Sequence, residues 1–181
     1  SRVTTTCFVD SEEVPLAALK DLPTGPFTGV VVANELLDNL PPRVVRKAPT
    51  GWLELHIENG AEVWHRAPKP AEDMASAVAP NAPIGATHPL HLKAAVWVNR
   101  AMKLLDRGRI LTFDYGVERS EMFNDRPLGE WLRTYKGHRR AGVPYNDPGT
   151  CDITCDVAFD QLPGSPAICL QSDWLASKGI G

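Results

Sequence analysis

The sequence predicts an α/β fold, a parallel doubly wound sheet carrying an inserted antiparallel meander. Three observations point there. Gly29-Val30-Val31-Val32-Ala33 is a short apolar run of the kind that forms strands buried on both faces of a parallel sheet, and it stops at Asn34-Glu35. A second such run, Arg109–Phe113, stops at Asp114. Between them, apolar residues fall at helical spacing from His91 to Leu105, so a helix followed by a buried strand continues a βαβ pattern.

The elements follow in order. Residues 2–9 alternate and are rich in β-branched side chains, which predicts a strand, and residues 11–20 predict a short helix. Leu22-Pro23-Thr24-Gly25-Pro26 is a turn into the valine strand. After that strand a short helix is expected over Glu35–Leu40, stopped by Pro41-Pro42. Arg43–Lys47, Trp52–Glu58 and Ala61–Arg66 predict a β-meander inserted over residues 43–66. Its turns are Pro49-Thr50-Gly51 and Asn59-Gly60, the second a strong type I′ signal. Leu53, Leu55, Ile57 and Val63 share one face of it, and Glu54, His56, Glu58 and Glu62 the other.

Residues 67–90 are rich in Pro and Ala and read as a connector or a lid over a site, with a turn or two of helix at Ala71–Val78. His88 and His91, where this segment rejoins the fold, read as surface or capping residues. The following helix buries Leu90, Ala94, Trp97, Val98, Ala101, Leu104 and Leu105, and Arg107-Gly108 supplies its cationic last turn and its stop. Trp131–Tyr135 and Asp152–Phe159 are further elements whose type the pattern leaves open. Ala167–Leu170 predicts a last strand and Gln171–Lys178 a last helix. The 181 residues read as one partial domain without internal repeats.

Composition excludes several function classes. The net charge of −3 argues against a general nucleic-acid binder. No window reaches the ~18 consecutive apolar residues of a membrane span. Ser1–Thr6 carries no apolar signal segment, so a cytoplasmic location is expected. The four cysteines, Cys7, Cys151, Cys155 and Cys169, are too few and too scattered for a disulfide scaffold. Cys151 and Cys155, with His138 upstream, lack a second ligand pair, so no metal is expected and the thiols read as free.

The chemistry is expected at the strand exits. Asn34-Glu35 and Asp114-Tyr115-Gly116 each follow an apolar strand, and parallel neighbours would bring both to one crevice. Glu35, Asp38 and Asp114, with Tyr115, would then form one acidic pocket. An arginine guanidinium is always protonated near neutral pH, and its planar donors match carboxylates. A carboxylate pair could hold it flat and draw its charge toward one nitrogen. The structural alternatives are Asn34 as a helix cap and Asp114 as a turn residue. In Arg133–Arg140, four cations surround Tyr135 and His138, which fits either a solvated face or RNA and phosphate binding.

These motifs also carry a resemblance. The run Val31-Val32-Ala33-Asn34-Glu35-Leu36-Leu37-Asp38-Asn39-Leu40-Pro41 resembles the signature of the MidA family of S-adenosylmethionine-dependent methyltransferases. Asp114-Tyr115-Gly116 resembles its D-Y-G, and Arg133, Tyr135 and His138 its R-x-Y-x-x-H. Pro148-Gly149, Asp152-Ile153-Thr154, Val157 and Phe159 resemble its P-G-x-x-D-I-T-x-x-V-x-F. Gln171, Trp174-Leu175 and Gly179-Ile180 resemble a later element.

The resemblance implies the C-terminal portion of a Rossmann-like methyltransferase sheet and S-adenosylmethionine as cofactor. It further implies methylation of a protein arginine, since the mitochondrial members act on a complex I subunit as assembly factors. Glu35, Asp38, Asp114 and His138 would be catalytic, with His138 an optional general base. Asn34 and Glu35 would touch the cofactor. Tyr115, Arg133, Tyr135, Asp152 and Thr154 would bind a protein substrate, such as a respiratory-complex subunit, with no nucleic acid or membrane span involved.

One family feature is missing. No Gly-rich strand–helix turn for the cofactor occurs in the sequence, whose one G-x-G is Gly179-Ile180-Gly181. The chain is therefore expected to be the C-terminal part of a longer methyltransferase and to bind S-adenosylmethionine weakly on its own. Two other classes stay open: a non-catalytic module that grips a partner during assembly, and a fragment of a Rossmann-type oxidoreductase.

Overall fold

A computed structural model describes residues 4–9, 12–17, 25–143, 145 and 149–180, and these described residues form a mixed α/β fold with five small sheets. The N-terminal strand forms as β1 (Thr4–Val9). Of the helix expected over 11–20, the described residues 12–17 form no part. Glu12–Ala17 is a strand, β2, antiparallel to β1 from Thr4↔Ala17 to Val9↔Glu12. Pro15 explains the difference, because in a helix interior it would delete a hydrogen bond and clash with the preceding turn, whereas an edge strand tolerates it. Residues 22–24 of the expected turn lie outside the described residues.

The valine strand is β3 (Phe27–Asn34). The meander follows as β4 (Arg43–Ala48), β5 (Gly51–Glu58) and β6 (Ala61–Arg66). Next come α1 (Lys69–Val78), β7 (Thr87–Leu90), α2 (Leu92–Leu104) and β8 (Leu105–Phe113). β3 and β8 form a parallel pair in register from Thr28↔Arg107 to Asn34↔Phe113. Of a doubly wound sheet, the described residues form this one long parallel pair. The expectation that β3 is buried on both faces fails, for Val30 and Val32 are 59% and 60% exposed. The apolar run fits an interior strand, but among the described residues nothing covers that side of the two-stranded sheet.

Helix α2 buries Ala94, Val98 and Ala101 and passes directly into β8. Arg107-Gly108, expected as a helix stop, therefore lies inside the strand. Gly108 serves close approach instead, since a Cβ there would stand 1.8 Å from the Gly29 carbonyl oxygen. The short helix expected over Glu35–Leu40 is likewise absent, and Asn34 caps nothing. The segment is a series of turns. The Leu37 and Asp38 amides, which would lie in the first turn of such a helix, are bonded instead to Asp114.

The meander has the strand order β6-β5-β4-β7. Asn59 and Gly60 both take positive φ (50° and 76°), as a type I′ hairpin requires. Its faces are not as expected. Trp52 and Glu54 are buried whereas Ile57 is exposed. Trp52 packs under α1, and Glu54 is ion-paired to Arg43, so a carboxylate is accommodated in the packed side. The 67–90 segment is not a lid. Its alanines (Ala71, Ala75, Ala79, Ala82 and Ala86) pack against Val45, Trp52 and Leu90, their small side chains bringing helix and sheet close together. His88 and His91, expected at the surface, are 0% and 1% exposed. Tertiary packing buries them, with His88 edge-on to Trp52 and Phe123 at 5.7 and 6.3 Å between ring centres.

Beyond β8 lie β9 (Gly116–Val117), a 3-10 turn at Ser120–Phe123 and the single turn α3 (Leu128–Trp131). The two elements left open resolve as strands. They are β10 (Leu132–Lys136), paired with β11 (Arg139–Arg140) and β12 (Asp152–Cys155), and β13 (Val157–Ala158), parallel to β9. Ala167–Leu170, expected as a strand, has no regular structure and joins no sheet, with Leu170 68% exposed. No strand edge among the described residues receives it. The last helix, α4 (Gln171–Ala176), starts where the sequence predicts.

Candidate active site

The register of β3 and β8 ends at Asn34↔Phe113, so the next residues, Glu35 and Asp114, emerge side by side at one sheet edge. The Glu35 amide donates to the Phe113 carbonyl at 2.8 Å. Glu35 is held at φ 47°, a left-handed conformation that costs an L-residue with a side chain about 1 kcal/mol. Its exposed carboxylate accepts the Tyr115 hydroxyl proton at 3.2 Å.

Behind Glu35 stand two more acids. Asp114 Oδ2 accepts the Leu37 amide at 2.8 Å, and Oδ1 accepts the amides of Asp38 at 3.3 Å and Tyr115 at 3.2 Å. Asp38 is 3% exposed and accepts from Asn39 Nδ2 at 2.9 Å. Burial, and then the Asp38 charge, push the Asp114 carboxyl up to about 6. Burial also raises Asp38, with the Glu35 charge adding to it. Two carboxyls this close, in a half-dry site, favour holding one proton between them. The hydrogen bond to Glu35 raises the Tyr115 hydroxyl in turn.

Gly116 seats this cluster against the C-terminal strands. A Cβ at Gly116 would stand 2.1 Å from the Val157 carbonyl oxygen, so the β9–β13 pairing requires glycine. The neighbouring Tyr115 carbonyl accepts the Val157 amide at 2.8 Å, and the Asp38 carbonyl accepts the Cys155 amide at 2.9 Å. Both turns are thereby tied to the chain segment that carries β12. Across β10 and β12, Arg133 stands opposite Thr154 and Tyr135 opposite Asp152. Arg133 and Arg126 both pair with Asp156, and Arg133 also donates to the Glu130 carbonyl at 2.8 Å.

These contacts enclose an open polar cavity of about 1040 Å³. Of the residues singled out from sequence, Glu35, Asp38 and Tyr115 line one wall. Arg133, Tyr135, His138, Asp152 and Thr154 line the other. His138 sits on an exposed turn at φ 61°. Asp114 stands behind the wall and acts on it through Asp38. Asn34 is exposed at the end of β3 and does not line the cavity. Asn39 and Asp156 do, and sequence reasoning missed both. Asn39 was visible inside the acidic motif, whereas nothing local marks Asp156, whose role is to hold two arginines from other elements.

A second, mostly apolar groove of about 1080 Å³ adjoins the first and shares Asp38, Asn39 and Asp152 with it. Leu55, Ile57, Leu132, Val143 and Ile153 lie along it. Among the described residues, no group of three or more His, Cys, Asp or Glu side chains is placed to hold a metal ion. No helix among them is long and apolar enough to cross a membrane.

A family profile described as "Putative S-adenosyl-L-methionine-dependent methyltransferase" matches residues 9–172. Two solved structures from Burkholderia thailandensis, both of one superfamily, are similar to the chain. An uncharacterized protein is 34% identical with a TM-score of 0.69, over 81% of this chain and 40% of its own. A second member, bound to S-adenosyl-homocysteine, is 31% identical with a TM-score of 0.67, over 81% of this chain and 39% of its own. The chain thus spans 40% or 39% of the length of the structures it matches. No curated protein matches it by sequence.

Proposed function

The chain belongs to that methyltransferase family, and we propose that it supplies the substrate side of a methyltransferase active site whose target is a protein arginine. The observation that carries this reading is the acid cluster at the exits of β3 and β8. Glu35 presents a free carboxylate edge at the cavity, and the Asp38–Asp114 pair stands behind it. A cation is the ligand such a wall favours, and a planar guanidinium matches carboxylates best.

The fit to a cofactor is one-sided. The exposed, negatively charged Glu35 suits a sulfonium, whereas no Gly-rich turn in the sequence would cradle a nucleoside. S-adenosylmethionine, when bound, would supply an electrophilic methyl group, its carbon–sulfur bond breaking to release the neutral thioether S-adenosyl-homocysteine. The chain's own residues do the rest. Glu35, oriented by Tyr115, pairs with the guanidinium and draws its charge to one side, leaving the far nitrogen more nucleophilic. Asp152 adds negative charge on the opposite wall. The nitrogen that gains a methyl loses a proton, and Asp38, which lines the cavity, can accept it and share it with Asp114, whose carboxyl burial pushes up to about 6. His138 stands at the rim as a second acceptor.

The test is Glu35→Gln in the full-length protein. Glutamine keeps the shape and one acceptor oxygen for Tyr115 but loses the charge. A hydrogen bond to a charged group contributes about 1.5–3 kcal/mol, so methyl transfer to an arginine substrate should fall on the order of 10- to 100-fold. The fold should lose less than about 1 kcal/mol. Full activity with a lowered melting temperature would make Glu35 a structural turn residue and remove the basis of this reading.

A further inference from the structure

The acidic cavity and the apolar groove meet along β12, whose two faces divide between them. Thr154 lines the cavity, Ile153 and Cys155 line the groove, and Asp152 borders both. β12 is also a sheet edge, paired with β10 alone. In antiparallel pairing, every second residue turns its N–H and C=O away from the neighbouring strand. Three backbone bonds set the phase here. The Asp156 amide donates across to the Trp131 carbonyl at 2.8 Å, and the Cys155 amide turns away to the Asp38 carbonyl at 2.9 Å. The Thr134 carbonyl accepts on its far side, from the Ala141 amide at 2.8 Å. Ile153 stands opposite Thr134, in phase with Cys155. Its N–H and C=O therefore face outward, and neither has a partner among the described residues.

We propose that the substrate protein binds as an added β-strand on this edge, an extended segment whose basic residue enters the acidic cavity while the apolar residues on either side of it enter the groove. The inference rests on the cation-binding reading above and says how the cation is presented. An extended chain sends successive side chains to opposite faces, and the two cavities lie on opposite faces of β12. Glu35, Asp38 and Asp152 complement the charge of the central residue. Leu55, Leu132, Val143 and Ile153 offer apolar surface to its neighbours. The Asp38 carbonyl already occupies the position at Cys155. It begins a ladder that the incoming strand would continue at Ile153, about 7 Å further along. In such strand addition, main-chain bonds give affinity and alternate pockets give selectivity. The recognised class is thus an apolar–basic–apolar sequence in extended form.

Fluorescence anisotropy with short labelled peptides tests this on the chain as it stands. The probe has a serine-leucine-arginine-leucine-serine core, and its isomer leucine-serine-arginine-serine-leucine moves the apolar residues out of phase. The isomer should bind at least about tenfold more weakly, as should the probe N-methylated at the backbone nitrogen facing Ile153. Ile153→Pro should show the same loss with an unchanged melting temperature, because that N–H takes no part in the β10 ladder. Replacing arginine by citrulline in the probe tests the cation reading separately. If the probe and its isomer bind alike, or if N-methylation is without effect, strand addition is wrong even where citrulline abolishes binding. If citrulline binds as arginine does, the acidic-cavity reading fails, and the proposal that rests on it fails too. Absence of saturable binding by any of the peptides overturns the proposal outright.

Discussion

Replacing Asp114 by Asn isolates the carboxyl whose ionisation the fold resists. Burial and the Asp38 charge raise it from 3.8 to about 6. Between about pH 4 and 6 the folded chain therefore holds a proton that the unfolded chain has released. The stability contributed by that proton is fully present below the unfolded value and is lost as pH rises through the folded one. At 1.36 kcal/mol per pH unit the effect is at most ~3 kcal/mol. Asp114 is only half-buried, and water screens the remainder, so about 1–1.5 kcal/mol is the expected size. Asparagine cannot ionise but keeps an oxygen for the Leu37 amide. The variant should therefore gain on the native chain as pH rises from 4 to 7, by roughly 2–5 °C in melting temperature for a chain of this size. Thermal unfolding of both proteins at the two pH values measures it. Parallel curves, or a native chain that gains on the variant, would refute the burial of a shared proton at this site.

Two further expectations concern the scaffold. Gly116→Ala places a Cβ against the Val157 carbonyl and should destabilise by roughly 2–3 kcal/mol. An unchanged melting temperature would mean that β9 and β13 do not approach this closely in solution. His91 is lowered to about 4 by burial, so below pH 6.5 the unfolded chain takes up a proton that the folded chain refuses. His91 alone should cost about 2 kcal/mol of native stability between pH 7.5 and 5, beside a contribution of the same sign from buried His88 and one of opposite sign from Asp114, and His91→Leu should remove that share of the slope, whereas equal slopes in melting experiments would place the ring in contact with water.

What was legible in the sequence followed from local chemistry. The two apolar runs ending in acids anticipate the β3–β8 pair and its shared exit, because parallel strands with a helical crossover have few other arrangements. Asn59-Gly60 marks its hairpin because few residue pairs tolerate two positive φ angles. Failures arose where a partner decides. Val30 and Val32 have the composition of a buried strand, but burial depends on a covering layer that no local pattern reports. His88 and His91 look like surface residues until the rings of Trp52 and Phe123 close around His88. The acidic motif was readable at Glu35 and Asp38. The opposite wall was not, since Asp152 and Thr154 reach the cavity only through pairing with β10, and only a family resemblance singled them out.

The left-handed backbone at Glu35 sets folding robustness against charge at one position. Glycine adopts that conformation freely and asparagine with little penalty. Selection for expression or heat resistance alone would therefore enrich Glu35→Gly and Glu35→Asn, and each gain would erase the carboxylate at the mouth of the cavity. A library of this chain sorted only by thermal survival should consequently lose the carboxylate on which the proposed recognition of a cation rests as it becomes sturdier. An unselected glutamate retained there through such sorting would itself be a measure of how much the surrounding turns depend on its contact with Tyr115.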